Sequence, residues 1–194
     1  GHPVIAMTRD KAGKLTGVGS GQRESLMHLE IDRQPQAAMA AITDDLRQVL
    51  DDVRAIVADW EPMQERMREV AEELGARRMP VSDDGKREAQ EFLRWAANDH
   101  FTFLGYREYK VAKQGKDEVL VADEDSGMGL LRGKDGGKPR LLKSLAAHYM
   151  PQSGSVDALI LTKTNARATV HRPGYMDYIG VLGFDAKGKP TSEQ

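Results

Sequence analysis

The chain has 194 residues, a formal net charge of -2 and no cysteine. This charge balance argues against binding to nucleic acid or an anionic membrane surface, and the lack of thiols excludes disulfides, thiolate metal sites and cysteine nucleophiles. Because no apolar run approaches the roughly 18 residues that cross a bilayer, we expect a cytoplasmic protein that associates with neither nucleic acid nor membrane.

The first residues predict a small antiparallel sheet. An apolar run at 3–8, a turn rich in Asp and Gly, and residues 14–18 indicate a β hairpin. In residues 24–32, Met27, Leu29 and Ile31 alternate with residues that are mainly polar. This alternation predicts a third strand with its odd-numbered face buried.

A helical pattern follows this sheet. Proline inside a helix costs about 3 kcal/mol but is tolerated in a first turn, so Pro62 predicts two helices, at 36–59 and 62–76. The apolar positions spaced three and four residues apart are Met39, Ile42, Leu46, Val49, Val53, Ile56, Trp60, Met63, Met67, Val70 and Leu74.

A second domain is expected to begin near residue 80, where Pro80 and a run of Asp and Gly interrupt the helical pattern. The predicted domains are therefore 1–79 and 80–194. Ser82 is placed to cap a helix that ends near Asn98.

The rest of the second domain predicts strands around a long connection. Residues 123–156 are rich in Gly and locally basic, which indicates a mobile or functional loop. The polar residues 187–194 resemble the turn of an unfinished hairpin, so we expect a C-terminally truncated domain cut from a longer protein. Antiparallel sheets that need helices to cover them define an α+β fold. The expected strands are 101–111, 118–122, 159–163, 167–171 and 178–182.

The sequence offers no catalytic, cofactor or metal motif. The dinucleotide pattern G-x-G-x-x-G fails at Gln22 in one glycine-rich stretch and at Arg132 in the other. The five histidines lack metal-ligand spacing. We therefore predict no catalytic residue, no cofactor and no metal in this chain.

Two places remain as candidate sites for an effector or an interface. Residues 167–178 combine cationic, aromatic and hydroxyl side chains, which could bind a carboxylate or phosphate; alternatively they form a strand-turn-strand interface in which Arg172 pairs with Asp177. His28 lies on the polar face of the third predicted strand, where surface packing is the alternative role. The candidate residues are His28, Arg167, His171, Arg172 and Tyr175.

Several longer phrases resemble one protein family. The chain reads Glu-Ser-Leu-Met-His-Leu-Glu-Ile-Asp-Arg at 24–33, Asp-His-Phe-Thr-Phe-Leu-Gly-Tyr-Arg at 99–107, Leu-Ile-Leu-Thr-Lys at 159–163 and Asp-Tyr-Ile-Gly-Val at 177–181. In this order and spacing the phrases are similar to the N-terminal region of the large bacterial NAD-specific glutamate dehydrogenases.

The resemblance implies a parent enzyme that oxidatively deaminates L-glutamate to 2-oxoglutarate and ammonium with NAD, in a very long subunit that forms homo-oligomers. It also implies an ACT-like part at 1–79 followed by a PAS-like part at 80–194. The family's catalytic lysines and dinucleotide-binding domain match nothing here, so no catalytic residue is carried over.

Two roles fit such a segment. As a regulatory module it would bind a small effector, an amino acid above all, and shift a packing equilibrium. As an assembly module it would position other domains and subunits of the same enzyme without any ligand.

Overall fold

The computed structural model describes residues 3–77, 79–134, 137–142 and 157–194. Within it the chain divides into two compact units, Gly1–Thr43 (unit 1) and Asp44–Gln194 (unit 2). The predicted domain boundary at 79 and 80 lies elsewhere and stays a prediction. Within the described residues, no helix combines the length and apolar character that crossing a membrane requires.

Unit 1 contains a three-stranded antiparallel sheet. Its strands are β1 (Val4–Arg9), β2 (Leu15–Val18) and β3 (Gln22–Ser25), in the order β2-β1-β3. The predicted hairpin is confirmed. Its turn is closed by Asp10, whose Oδ1 accepts the backbone N–H groups of Ala12 and Lys14, both at 2.9 Å.

The third predicted strand is wrong over most of its length. β3 ends at Ser25, residues 26–35 have no regular structure, and the odd-numbered apolar side chains expected in a core are exposed. The alternation was read correctly, but a strand also needs a neighbour for its backbone groups. No described strand pairs with residues 26–32.

One long helix replaces the two predicted ones. After a 3-10 turn at Gln36–Ala38, α1 spans Met39–Ala76 and contains Pro62. Pro62 is exposed, whereas Asp59 and Met63 on either side of it are buried within unit 2. Packing on both sides of the proline therefore outweighs the lost backbone hydrogen bond.

Pro62→Ala is expected to raise the free energy of unfolding by about 1–3 kcal/mol, because alanine restores a helix donor and relieves the ring's clash with the preceding turn. Urea unfolding followed by circular dichroism measures the change. Glu61→Ala, one exposed position earlier, serves as a control expected within about 0.5 kcal/mol of the parent. A less stable Pro62→Ala variant would contradict the continuous helix.

The helix predicted after Ser82 forms as expected. α2 spans Asp83–Trp95 and passes into a π turn at Ala96–His100. The backbone N–H of Gly85 donates to Ser82 Oγ at 3.1 Å, which confirms Ser82 as the N-cap. The helices pack together in a core of Val70, Ala71, Leu74, Ala89, Leu93, Ala158 and Val181.

Unit 2 also holds a six-stranded antiparallel sheet of order β6-β5-β4-β9-β8-β7. The predicted hairpin at 101–122 is confirmed. Because β5 continues to Gly129, the beginning of the predicted loop at 123–156 belongs to this strand. Part of that loop, residues 135–136 and 143–156, lies outside the described residues. The strands are β4 (Gly105–Gln114), β5 (Asp117–Gly129), β6 (Arg140–Leu141), β7 (Leu159–Arg167), β8 (Tyr175–Phe184) and β9 (Pro190–Glu193).

The end of this sheet corrects two expectations. The strand predicted at 167–171 is wrong, because β7 ends at Arg167 and residues 168–174 connect it to β8. The C-terminal residues are not a loose turn: β9 lies between β4 and β8, with Glu193 opposite both Tyr109 and Leu182. The predicted α+β class, antiparallel sheets with helices, is confirmed.

Candidate functional site

Unit 2 contains a groove of about 1080 Å³ between α2 and β7. This volume slightly exceeds the usual range for small-molecule sites, about 300–1,000 Å³. The described lining residues are Pro80, Val81, Ser82, Gly85, Glu88, Ala89, Phe92, Arg140, Asp157, Ala158, Leu159, Ile160, Leu161, Thr162, Lys163, Thr164, Asn165 and Tyr178.

The first wall is one face of α2. Its lining residues recur at helical spacing from Ser82 to Phe92, so the amino end of the helix, with its positive partial charge, borders the groove. Glu88 supplies the acidic group of this wall, and Ala89 joins the wall to the core.

The second wall is β7, which lies at one edge of the sheet and pairs with β8 alone among the described strands. Leu161 in its middle is 58% exposed. Lys163 Nζ lies 2.5 Å from Asp177 Oδ1 of β8, and both side chains are more than half exposed. An exposed pair of this kind contributes little to stability, so Lys163 remains available to a ligand.

The floor of the groove is formed by Arg140 and Tyr178, which are held by Glu193. Glu193 is fully buried, at 0% exposure, and accepts hydrogen bonds from Tyr178 Oη at 2.5 Å and from Arg140 Nη2 at 2.8 Å. The Arg140 guanidinium also lies 4.5 Å from the ring centroid of Tyr109. Burial, together with the Glu193 carboxylate, raises the pKa of Tyr178 well above its usual range, so the phenol stays neutral.

This floor joins three strands that are far apart in sequence. Arg140 belongs to the two-residue strand β6, Tyr178 to β8 and Glu193 to β9. Sequence reasoning missed both charged residues: Arg140 looked like one cation in a glycine-rich connection, and Glu193 lay in the polar end of the chain. No local pattern marks either one.

The groove has the chemistry of a binding site. Its described lining carries both charge signs, Arg140 and Lys163 against Glu88 and Asp157, over apolar side chains of α2 and β7. A hydroxyl nucleophile with an adjacent histidine base is missing from this described lining. The described residues also contain no group of three or more potential metal ligands.

The sequence-predicted candidates lie outside this groove. Arg167 and Tyr175 face each other across β7 and β8, with the guanidinium 5.1 Å from the tyrosine ring centroid. His171 and Arg172 lie in the connection between these strands, exposed, and the Arg172 backbone N–H donates to Val170 O at 3.0 Å. His28 is an exposed residue of unit 1.

The structure thus brings Arg167 and Tyr175 together at the end of the β7–β8 hairpin, with His171 and Arg172 in the loop that joins the two strands. The expected ion pair between Arg172 and Asp177 is wrong. Asp177 pairs with Lys163 instead, because the strand register places these two residues directly opposite each other. The role of the candidates as effector or interface residues stays a prediction.

Comparison with known proteins first defines a class. Residues 1–46 match the family described as "Glutamate dehydrogenase, ACT1 domain", a range that ends close to the limit of unit 1 at Thr43. No solved structure shows significant similarity to the chain.

The relatives then make the class more specific. The chain is similar to the NAD-specific glutamate dehydrogenases of Pseudomonas aeruginosa (35% identity, 98% of the chain, 12% of the relative) and Halomonas elongata (34%, 100% and 13%). That of Mycobacterium tuberculosis is 29% identical over 72% of the chain and 9% of the relative. Together these matches support the assignment of the chain to the N-terminal region of a large NAD-specific glutamate dehydrogenase. The chain spans about an eighth of the length of the two most similar relatives named here.

Proposed function

We propose that the chain is the non-catalytic regulatory segment of an NAD-dependent glutamate dehydrogenase. The parent enzyme would convert L-glutamate, NAD and water to 2-oxoglutarate, ammonium and NADH, in the cytoplasm. The names of the relatives support this reaction. In this proposal NAD binds elsewhere in the parent enzyme, and the segment acts on catalysis from a distance.

The groove of unit 2 is the place where the segment receives its signal, and an amino acid is the effector. The observation that carries this proposal is a lining that holds both charge signs beside the apolar side chains of α2 and β7. Lys163 can bind the carboxylate of a zwitterion, and Glu88 or Asp157 can bind its ammonium group. The apolar side chains of α2 and β7 would contact the rest of the ligand.

Such a ligand would regulate by favouring one arrangement of the two walls. α2 belongs to the core that it shares with the end of α1, and β7 continues into the sheet. An effector that binds both walls more tightly in one arrangement shifts the population toward it. Residues 80–194, which include this groove, would form the PAS-like part.

The second candidate role is docking without a ligand, and unit 1 favours it. Met27, Leu29 and Ile31 are each more than half exposed, and apolar side chains that lie exposed near one another mark contact surfaces. The partners would be other domains and subunits of the same enzyme.

A thermal-shift titration of the chain with amino acids, 2-oxoglutarate and NAD tests effector binding. A ligand at about 100 times its dissociation constant stabilises by roughly 2.7 kcal/mol, which raises the melting temperature by several degrees. We expect one amino acid to act and NAD to have no effect.

Lys163→Ala is expected to weaken binding of that amino acid about tenfold or more, because a charged hydrogen bond contributes about 1.5–3 kcal/mol. Isothermal titration calorimetry measures the change. Arg172→Ala is the matched control: it removes an exposed cation outside the groove and should leave the affinity unchanged. The opposite pattern would move the site to the β7–β8 connection, and no binding by any amino acid would favour docking.

A further inference from the structure

A short part of unit 1 has the sequence of a strand but pairs with none of the described strands. Segment 27–31, Met-His-Leu-Glu-Ile, directly follows the edge strand β3 and has no regular structure. Met27, Leu29 and Ile31 are 57%, 64% and 63% exposed. Three apolar side chains that share one face when the backbone is extended are thus left in water, next to an edge where another strand can add.

The chemistry of this segment limits what can cover it. It alternates apolar and ionisable residues, and it reads the same by chemical class in both directions: apolar, ionisable, apolar, ionisable, apolar. In an antiparallel pair, directly opposite residues lie on the same face. A second copy aligned about Leu29 therefore places Met27 opposite Ile31 and Leu29 opposite Leu29, all on the apolar face.

The same alignment satisfies the charges. His28 lies opposite Glu30 of the second copy, and Glu30 lies opposite its His28, so each ionisable residue of segment 27–31 meets a group that can attract it. A shift of one residue would place apolar side chains opposite ionisable ones. One register is therefore better than its neighbours on both faces.

We propose that segment 27–31 becomes a strand by antiparallel pairing with the same segment of a second copy of this chain, around a two-fold axis at Leu29. The occupant is a second copy because the segment is complementary to itself in both apolar character and charge. Pairing would continue the edge of the β2-β1-β3 sheet and cover the three exposed side chains.

Single cysteines test the register, since the chain has no cysteine of its own. In the proposed pair, the two copies of residue 29 have Cα atoms about 4.5–5.5 Å apart, within the range of a disulfide. The two copies of residue 27 are about 13 Å apart, four residues along the strand. Leu29→Cys is therefore expected to form a disulfide dimer at least tenfold faster than Met27→Cys under oxidised glutathione.

Val18→Cys is the matched control, because Val18 is an equally exposed apolar residue, at 65%, on the other edge strand β2. A mixture of Met27→Cys and Ile31→Cys chains should give the mixed dimer in preference to either homodimer. Equal rates for Leu29→Cys and Val18→Cys would overturn the proposal.

Sedimentation of the unmodified chain provides the second readout. We expect a concentration-dependent dimer that Leu29→Lys abolishes, since two ammonium groups would then face each other at the two-fold axis. A chain that stays monomeric at high micromolar concentration would overturn the proposal. So would a monomeric Leu29→Cys chain whose thiol resists alkylation, because another part of the chain would then cover the segment.

Discussion

Glu193→Ala is expected to lower the free energy of unfolding of unit 2 by about 3 kcal/mol or more. The fully buried carboxylate accepts hydrogen bonds from Arg140 and Tyr178. Its removal leaves a guanidinium with 38% side-chain exposure and a mostly buried phenol without their common acceptor. Breaking a buried charge pair on one side costs about 3–5 kcal/mol, and the lower end applies because Arg140 keeps part of its contact with water.

Urea unfolding at pH 7 measures this change from the midpoint and slope. Glu65→Ala is the matched control, since its exposed pair with Arg68 is expected to contribute less than about 1 kcal/mol. Glu193→Gln should fall between the two, because its amide oxygen still accepts from Tyr178 while its amide nitrogen faces Arg140. A Glu193→Ala variant as stable as the Glu65→Ala variant would show that the groove floor is not built on this carboxylate.

The contrast between Glu193 and the helices shows which parts of the fold the sequence could reveal. The apolar spacing of α1, the Ser82 cap and the hairpins of β1–β2 and β4–β5 depend on neighbours within a few residues, and all were predictable. The groove floor joins Arg140 to Glu193 across 53 positions. Only the register of β9 between β4 and β8 brings these residues together, and no local pattern encodes it.

Two of the failures in regular structure have different causes. At Pro62 a valid local rule predicted a break, and packing of the flanking residues outweighed it. At residues 26–32 the local pattern does specify a strand, but a strand forms only where another strand pairs with it. The first case reflects tertiary contacts within the chain, and the second reflects a contact that the described chain does not supply.

Asp59→Asn is expected to lower the free energy of unfolding by about 2–3 kcal/mol at pH 7. Asp59 of α1 is 1% exposed, accepts the backbone N–H of Gly129 at 2.7 Å and Arg132 Nε at 2.8 Å, and so fastens the turn after β5 to the helix. Asparagine keeps the shape but loses the charge that makes these hydrogen bonds strong.

The pH dependence distinguishes this charge from simple packing. The Arg132 guanidinium above all, with the Gly129 amide, holds the pKa of Asp59 below its usual range against the opposing effect of burial. A carboxyl group with a lowered pKa in the folded state contributes its full stability above its unfolded value of about 3.9, and loses it as the pH falls through the folded value. The difference between parent and Asp59→Asn should therefore be constant from pH 7 to pH 5 and shrink below pH 4.

Urea unfolding of both proteins at pH 7, 5, 4 and 3 measures this narrowing difference. Asp51→Asn is the control, because its carboxylate pairs with Arg54 on the exposed face of the same helix, with 67% of the side chain accessible, and little change is expected at any pH. A difference for Asp59→Asn that stays the same at pH 3 would show that the charge of Asp59 is not the source of the stabilisation, and the turn after β5 would then be held by other contacts.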